Sequence, residues 1–207
     1  MYKLYYTPGA CSMSIHVALN ECGQEVTLEK IDMMAGQNRS PEYLKINPRG
    51  QVPVLMDGDM PIREGAAILI HLLDKHNSPL LPKSGKERTL ALEWLMFANA
   101  TLHPAYARVF FLKRNGTTEG VLMDAAVASI NSLWSEVEQR LSSSTYICGA
   151  QMTIADILLT VIANWSSNVP QPITLGTNTK RLLKEISARP SYQKALAAEE
   201  VTYKAAA

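Results

Sequence analysis

A chain of 207 residues, 47% apolar and 19% charged, is long enough for one large domain or two small ones with real cores, and its composition is that of an ordinary globular protein. A formal net charge of +1 forces no basic surface, which argues against nucleic acid as the main ligand; no run of about 18 apolar residues suggests a membrane span. Three widely spaced cysteines, Cys11, Cys22 and Cys148, do not suit a disulfide scaffold. With no basic segment leading into a long apolar run at the N-terminus, they point to a reducing, cytoplasmic setting.

The first stretch, YKLYY, is aromatic and apolar and is closed by Thr7-Pro8-Gly9, which predicts a strand followed by a turn. Ser12 to Glu21 has apolar residues at Ile15, Ala18, Leu19 and Cys22, a helical spacing, with Gly23 placed as a C-terminal cap. Val26 to Asp32 reads as a second strand. Ser40-Pro41 reads as an N-cap and first helical position. VPVLMDGDMPIRE reads as two strands joined around Asp57-Gly58-Asp59, and Glu64 to His76 as a helix. The order is β-α-β-α-β-β-α.

The grammar then changes. Residues 78–86, rich in Pro, Ser and Gly, read as a linker, and from Glu87 onward no good strand appears. Helical patterns run from about Glu87 to Arg114, Glu119 to Leu141, Thr153 to Ser167 and Thr177 to Ala188, with a last one from Pro190. Pro104 inside the first of these predicts a kink. The expected fold is a small α/β domain over residues 1–77 followed by an all-helical domain over 87–207.

Cys11 lies where the first turn meets the first helix. A lone cysteine is most often a small core residue. At this junction, however, it faces unpaired backbone N–H groups and the positive end of the helix dipole, which predicts a pKa below the roughly 8.5 of free cysteine. CSMS puts Ser14 where a C-x-x-C redox helix would carry its second thiol, so Cys11 is left to form mixed disulfides with an external thiol. In INPRGQVPVL, Val52-Pro53 enters a strand: either an ordinary edge position, or a cis bond that turns the Val52 N–H and C=O toward an extended peptide ligand. In REGAAIL, Glu64 and Gly65 open a helix whose N–H groups can hold a carboxylate while Glu64 receives an ammonium; simple dipole compensation is the plainer alternative.

Together with MTIADILL, these stretches in this order resemble the soluble glutathione transferases, and most nearly their bacterial beta class, over essentially the full chain. The resemblance implies a thioredoxin-like α/β N-terminal domain plus an all-α C-terminal domain. It also implies glutathione as co-substrate with no metal, a homodimer, and a small apolar electrophile bound by the helical domain. It assigns glutathione binding to Cys11, Gln51, Val52, Pro53, Glu64, Gly65, Asn99 and His103, with Cys11 and His103 as the catalytic pair. His103 is expected to reach the site of the facing subunit. Where the class often has lysine after this histidine the chain has Pro104, and where it often has asparagine two turns upstream the chain has Met96; Asn99, one turn from His103, is the substitute. Thr153 to Asp156 reads as a capping box and so as a folding element.

The implied activity is glutathione transfer to electrophiles, with thiol–disulfide exchange or peroxide reduction through Cys11. The alternatives are a non-catalytic binding protein on the same fold, or a specialised dehalogenase or isomerase. Retention of Cys11, Val52-Pro53 and Glu64 favours the enzyme.

Overall fold

The computed structural model describes residues 1–205, which divide into two compact units. The first comprises Met1–Lys83 and Arg189–Thr202; the second comprises Ser84–Ala188 and the residues from Tyr203.

The first unit holds β1 (Tyr2–Tyr6), α1 (Ser12–Glu21), β2 (Val26–Lys30), α2 (Pro41–Ile46), β3 (Val54–Asp57), β4 (Met60–Arg63) and α3 (Gly65–Lys75). This is the order expected from the sequence. The strands form a four-stranded sheet in the order β2-β1-β3-β4; β1 and β2 run parallel, and the other neighbours run antiparallel. Register sorts the side chains by face. Leu4 lies opposite Leu55, on the side where α1 and α3 pack, and Tyr5 lies opposite Val54. The Tyr5 face is closed by Ile31, Tyr43, Ile46 and Val52.

Helix α1 is buried from Ser12 to Leu19, so it has no solvent face. It ends as expected: Cys22 is followed by Gly23 at φ +65°, and the Gly23 and Gln24 N–H groups return to the Asn20 and Leu19 carbonyls. What covers α1 on its free side differs from the expected domain division. Helix α9 (Pro190–Glu199), counted with the helical domain in the 87–207 reading, packs against α1 in the first unit. Polar groups specify the contact. Arg189 pairs with Glu21 at 2.8 Å, the Asn20 amide donates to the Ser191 carbonyl, and His16 Nδ1 lies 3.0 Å from a Glu199 oxygen. A helix buried on every side needs one more partner than the local sequence around it supplies.

In the second unit the first long helical pattern becomes α4 (Gly85–Met96), a π-helical stretch Phe97–Leu102, and α5 (His103–Arg114). Pro104 lacks an N–H, and the α-helical winding is interrupted directly before it by this widened i→i+5 stretch. Helices α6 (Val121–Leu141), α7 (Ile154–Ala163) and α8 (Thr177–Ser187) complete it, with every residue of α7 buried. The capping box forms: Asp156 Oδ2 accepts from the Thr153 N–H at 2.8 Å and Oδ1 from the Ile147 N–H at 2.8 Å. No helix among the described residues is long and apolar enough to cross a membrane.

Candidate functional site

The turn that carries Cys11 is tied at both ends. Thr7 Oγ1 donates to the Ile31 carbonyl at 2.9 Å, the Ala10 N–H closes onto the Thr7 carbonyl at 3.0 Å, and Gly9 takes φ +68°. From outside the turn, Glu199 Oε2 accepts the Gly9 N–H at 3.0 Å while its other oxygen meets His16. Cys11 itself is already helical, at φ −57° and ψ −23°, and its carbonyl accepts from the Ser14 hydroxyl at 2.7 Å. The side chain at the position of a second redox cysteine therefore braces the backbone of the first.

The expected low pKa of Cys11 is not found. Burial pushes the thiol up to about 11; the backbone N–H groups of Cys11 and Ser12 pull it down by less, and the Glu64 carboxylate raises it further. Desolvation of the half-buried Cys11 side chain outweighs what the start of one helix contributes. Cys22 is also raised by burial, and Cys148 to about 11, so acidity does not set Cys11 apart. Its position does.

Val52–Pro53 is a cis bond, as the ligand-facing alternative expected. The edge-strand alternative fails, because β3 pairs with β1 on one side and β4 on the other. The β3–β4 ladder begins at Val54 opposite Arg63, which leaves the Val52 N–H and C=O outside it. Gln51 has an exposed side chain, and its carbonyl accepts from the Tyr43 hydroxyl at 2.8 Å and the Asn47 amide at 2.7 Å. Pro53 is buried.

Glu64 stands at the N-cap of α3 with φ +69° and ψ +114°, a conformation that costs a non-glycine residue about 1–3 kcal/mol and that clusters at functional sites. No side chain caps α3, so its first N–H groups, beginning at Gly65, face outward from a helix start. The Glu64 carboxylate is exposed and paired with Arg49 at 2.8 Å. The pair's charges are screened, and it contributes little to stability. Cys11, Gln51, Val52, Pro53, Glu64 and Gly65 all fall in the first unit, and the charge of Glu64 is felt at the Cys11 sulfur.

Asn99 and His103 belong to the second unit. Asn99 lies within the π-helical stretch, where the winding no longer stacks it one α-turn from His103. His103 packs edge-on against Trp165 with ring centroids 4.9 Å apart, and burial lowers its pKa below the usual 6.5, so it is neutral at pH 7. Among the described residues no three His, Cys, Asp or Glu side chains converge as metal ligands.

Sequence reasoning missed Glu199, Arg49, Tyr43 and Asn47. Glu199 is far from the turn it braces and leaves no local signal; Asn47 stands directly before Pro48 inside the INPRGQVPVL stretch and was readable there as a turn residue.

Against known proteins, residues 1–74 match the glutathione S-transferase N-terminal domain model and residues 98–190 the C-terminal one. The chain is 31% identical over 201 residues to glutathione S-transferase GstA of Escherichia coli O157:H7, covering 95% of this chain and 98% of that one. It is similar to BphK, a bacterial glutathione transferase solved as a ternary complex, at 32% identity and TM-score 0.85, covering 96% of this chain and all of that one. A sphingomonad glutathione S-transferase complexed with glutathione superposes at TM-score 0.83 with 27% identity, covering 97% of this chain and 100% of that one. The chain belongs to the glutathione S-transferase family and is a glutathione transferase of the two-domain, thioredoxin-like architecture.

Proposed function

We propose that the first unit binds glutathione and that the protein transfers it to small apolar electrophiles. The observation that carries this is the gathering in one unit of three complementary devices: the Cys11 thiol at a helix start, the Val52 backbone left outside its ladder by a cis bond, and the uncapped start of α3 beside Glu64. Glutathione is an extended anionic tripeptide with an ammonium, two carboxylates and a central thiol. Val52 suits its main chain, the α3 N–H groups a carboxylate, and Glu64 the ammonium. The sphingomonad relative binds the same co-substrate.

Cys11 is protonated at neutral pH, so its S–H donates toward the glutathione sulfur and favours the glutathione thiolate, whose proton leaves to solvent. The thiolate forms a bond to the electrophilic carbon, and the leaving group departs with its electron pair. His103, neutral and able to donate, and Asn99 are assigned to the same site from a second copy, in a homodimer of the beta-class kind. Surface apolar side chains on the second unit, Phe111 on α5 and Val121 and Leu122 on α6, suit burial against that copy.

The place of Cys11 at a helix start, with Ser14 rather than a second cysteine three residues on, supports a second reading, thiol–disulfide exchange. Here the Cys11 thiolate attacks one sulfur of oxidised glutathione and expels a glutathione thiolate, and a second glutathione thiolate resolves the mixed disulfide. Steady-state conjugation to an activated aryl chloride, with intact mass after treatment with oxidised glutathione, tests both. Turnover supports transfer and a single glutathionyl adduct supports exchange; the absence of both turnover and retention on immobilised glutathione contradicts the proposal.

A further inference from the structure

The loop from the end of α2 to β3 carries no regular ladder, yet the carbonyls of Ile46, Asn47, Arg49, Gly50 and Gln51 all accept hydrogen bonds. Arg63 Nε donates to the Ile46 carbonyl at 3.0 Å, and the Gly50 N–H to that of Asn47 at 2.8 Å. Arg39 reaches the Arg49 carbonyl at 3.4 Å, and Asn38 Nδ2 donates to that of Gly50 at 2.8 Å. The Gln51 carbonyl accepts twice, from Asn47 Nδ2 and the Tyr43 hydroxyl. The Arg49 N–H on Asn47 Oδ1, at 3.3 Å, fixes which way the Asn47 amide points. This succession stops at Val52, whose N–H and C=O lie outside the ladder.

Chain reversal alone does not need these side chains. The turn is closed by the Gly50 N–H on the Asn47 carbonyl and by Gly50 at φ +62°, where a Cβ would come within 2.7 Å of the Asn38 carbonyl oxygen. Asn38, Tyr43 and Asn47 are only 8%, 3% and 2% exposed, and burying polar groups around a single short loop is unfavourable unless each is satisfied. Their shared product is a fixed peptide plane directly before Val52.

We infer that Asn47 and Tyr43, with Asn38 behind them, are positioning residues for glutathione: by holding the Gln51 carbonyl they set the direction of the Val52 N–H, which shares its peptide plane. The inference rests on the reading of Val52 as glutathione's main-chain partner. Asn47 and Tyr43 act through the loop and touch no reacting atom, so losing them weakens glutathione binding without slowing the chemical step.

The test is glutathione titration by calorimetry, together with steady-state kinetics, on wild type, Asn47→Ala, Tyr43→Phe and the double variant. Asn47→Ala should raise the Kd and KM for glutathione about tenfold while kcat at saturation stays within about twofold. Tyr43→Phe keeps the ring packing and should raise both about two- to threefold. The double variant should exceed the product of the two, because in each single variant the remaining donor still partly holds the shared carbonyl. Wild-type affinity in both single variants, or a loss confined to kcat and thermal stability, overturns the inference. If Asn47→Ala fails to fold, Tyr43→Phe decides between these outcomes. A wild-type protein that takes up no glutathione overturns instead the reading of Val52, and the two failures are told apart by the first titration.

Discussion

The Glu199 carboxylate accepts the Gly9 N–H at 3.0 Å, so the last helix of the chain reaches the turn that presents the candidate nucleophile. The same carboxylate meets His16 at 3.0 Å, and both side chains are almost completely buried. Removing one partner of a buried polar pair leaves the other desolvated and unsatisfied. Glu199→Ala should therefore cost about 2–4 kcal/mol. Thermal unfolding should show Tm lower by roughly 5–15 °C. Glu199→Gln keeps an acceptor for Gly9 and should lie between the two; an alanine variant that melts with wild type refutes the brace.

In the second unit, Glu138 caps α8. One oxygen accepts from the Asn178 N–H and side-chain amide at 3.0 and 2.8 Å, the other from the Thr179 N–H and hydroxyl at 2.7 and 2.8 Å. Gly176 leaves the room: a Cβ there would lie 2.3 Å from the Glu138 carboxyl carbon. Glu138→Ala and Gly176→Ala should each cost about 2 kcal/mol by denaturant titration, and together less than their sum, since both dismantle one cap. Burial opposes ionisation of Glu138, but the bonds from Asn178 and Thr179 outweigh it and hold the carboxyl below its usual range. With the folded pKa depressed, this stability is fully present above an unfolded pKa of about 4.3 and is lost as pH falls through the folded value. The Glu138→Ala penalty should shrink on acidification below about pH 4; a penalty constant from pH 7 to pH 3 would contradict the assignment.

Cys11, at a pKa of about 11, has roughly one part in ten thousand thiolate at pH 7. Its alkylation by iodoacetamide, followed by peptide mass, should rise about tenfold per pH unit up to about pH 10. A plateau near pH 8 would restore the acidic thiol expected from the sequence.

That thiol shows where sequence reasoning ended. The helix start at Cys11, the Gly23 cap, the Val52–Pro53 bond and the Thr153–Asp156 capping box were legible because each is a local event, decided by a few neighbouring residues. The burial of Cys11 is not local. It depends on elements brought together by the fold, and it reverses the sign expected from the helix dipole. The placement of α9 was hidden for the same reason: Tyr192, Ala195 and Leu196 announce an apolar face but not the helix it meets. Among the site residues, the first-unit set was readable as a motif, whereas Arg49 on Glu64 and Glu199 on Gly9 are pairings that no spacing encodes. The beta-class subdivision and the cross-subunit role of His103 rest on the motif alone.

In the proposed binding mode, glutathione lies along the Val52 backbone between Cys11 and the start of α3. Titration of reduced glutathione into ¹⁵N-labelled protein, followed by amide chemical shifts, tests it most directly. With glutathione in that position, the Cys11, Val52 and Gly65 amides should move together along one saturation curve, while those of β2 and of the α8 cap stay in place. Saturable glutathione binding that leaves Val52 and Gly65 unmoved, or no binding at millimolar glutathione, would contradict it.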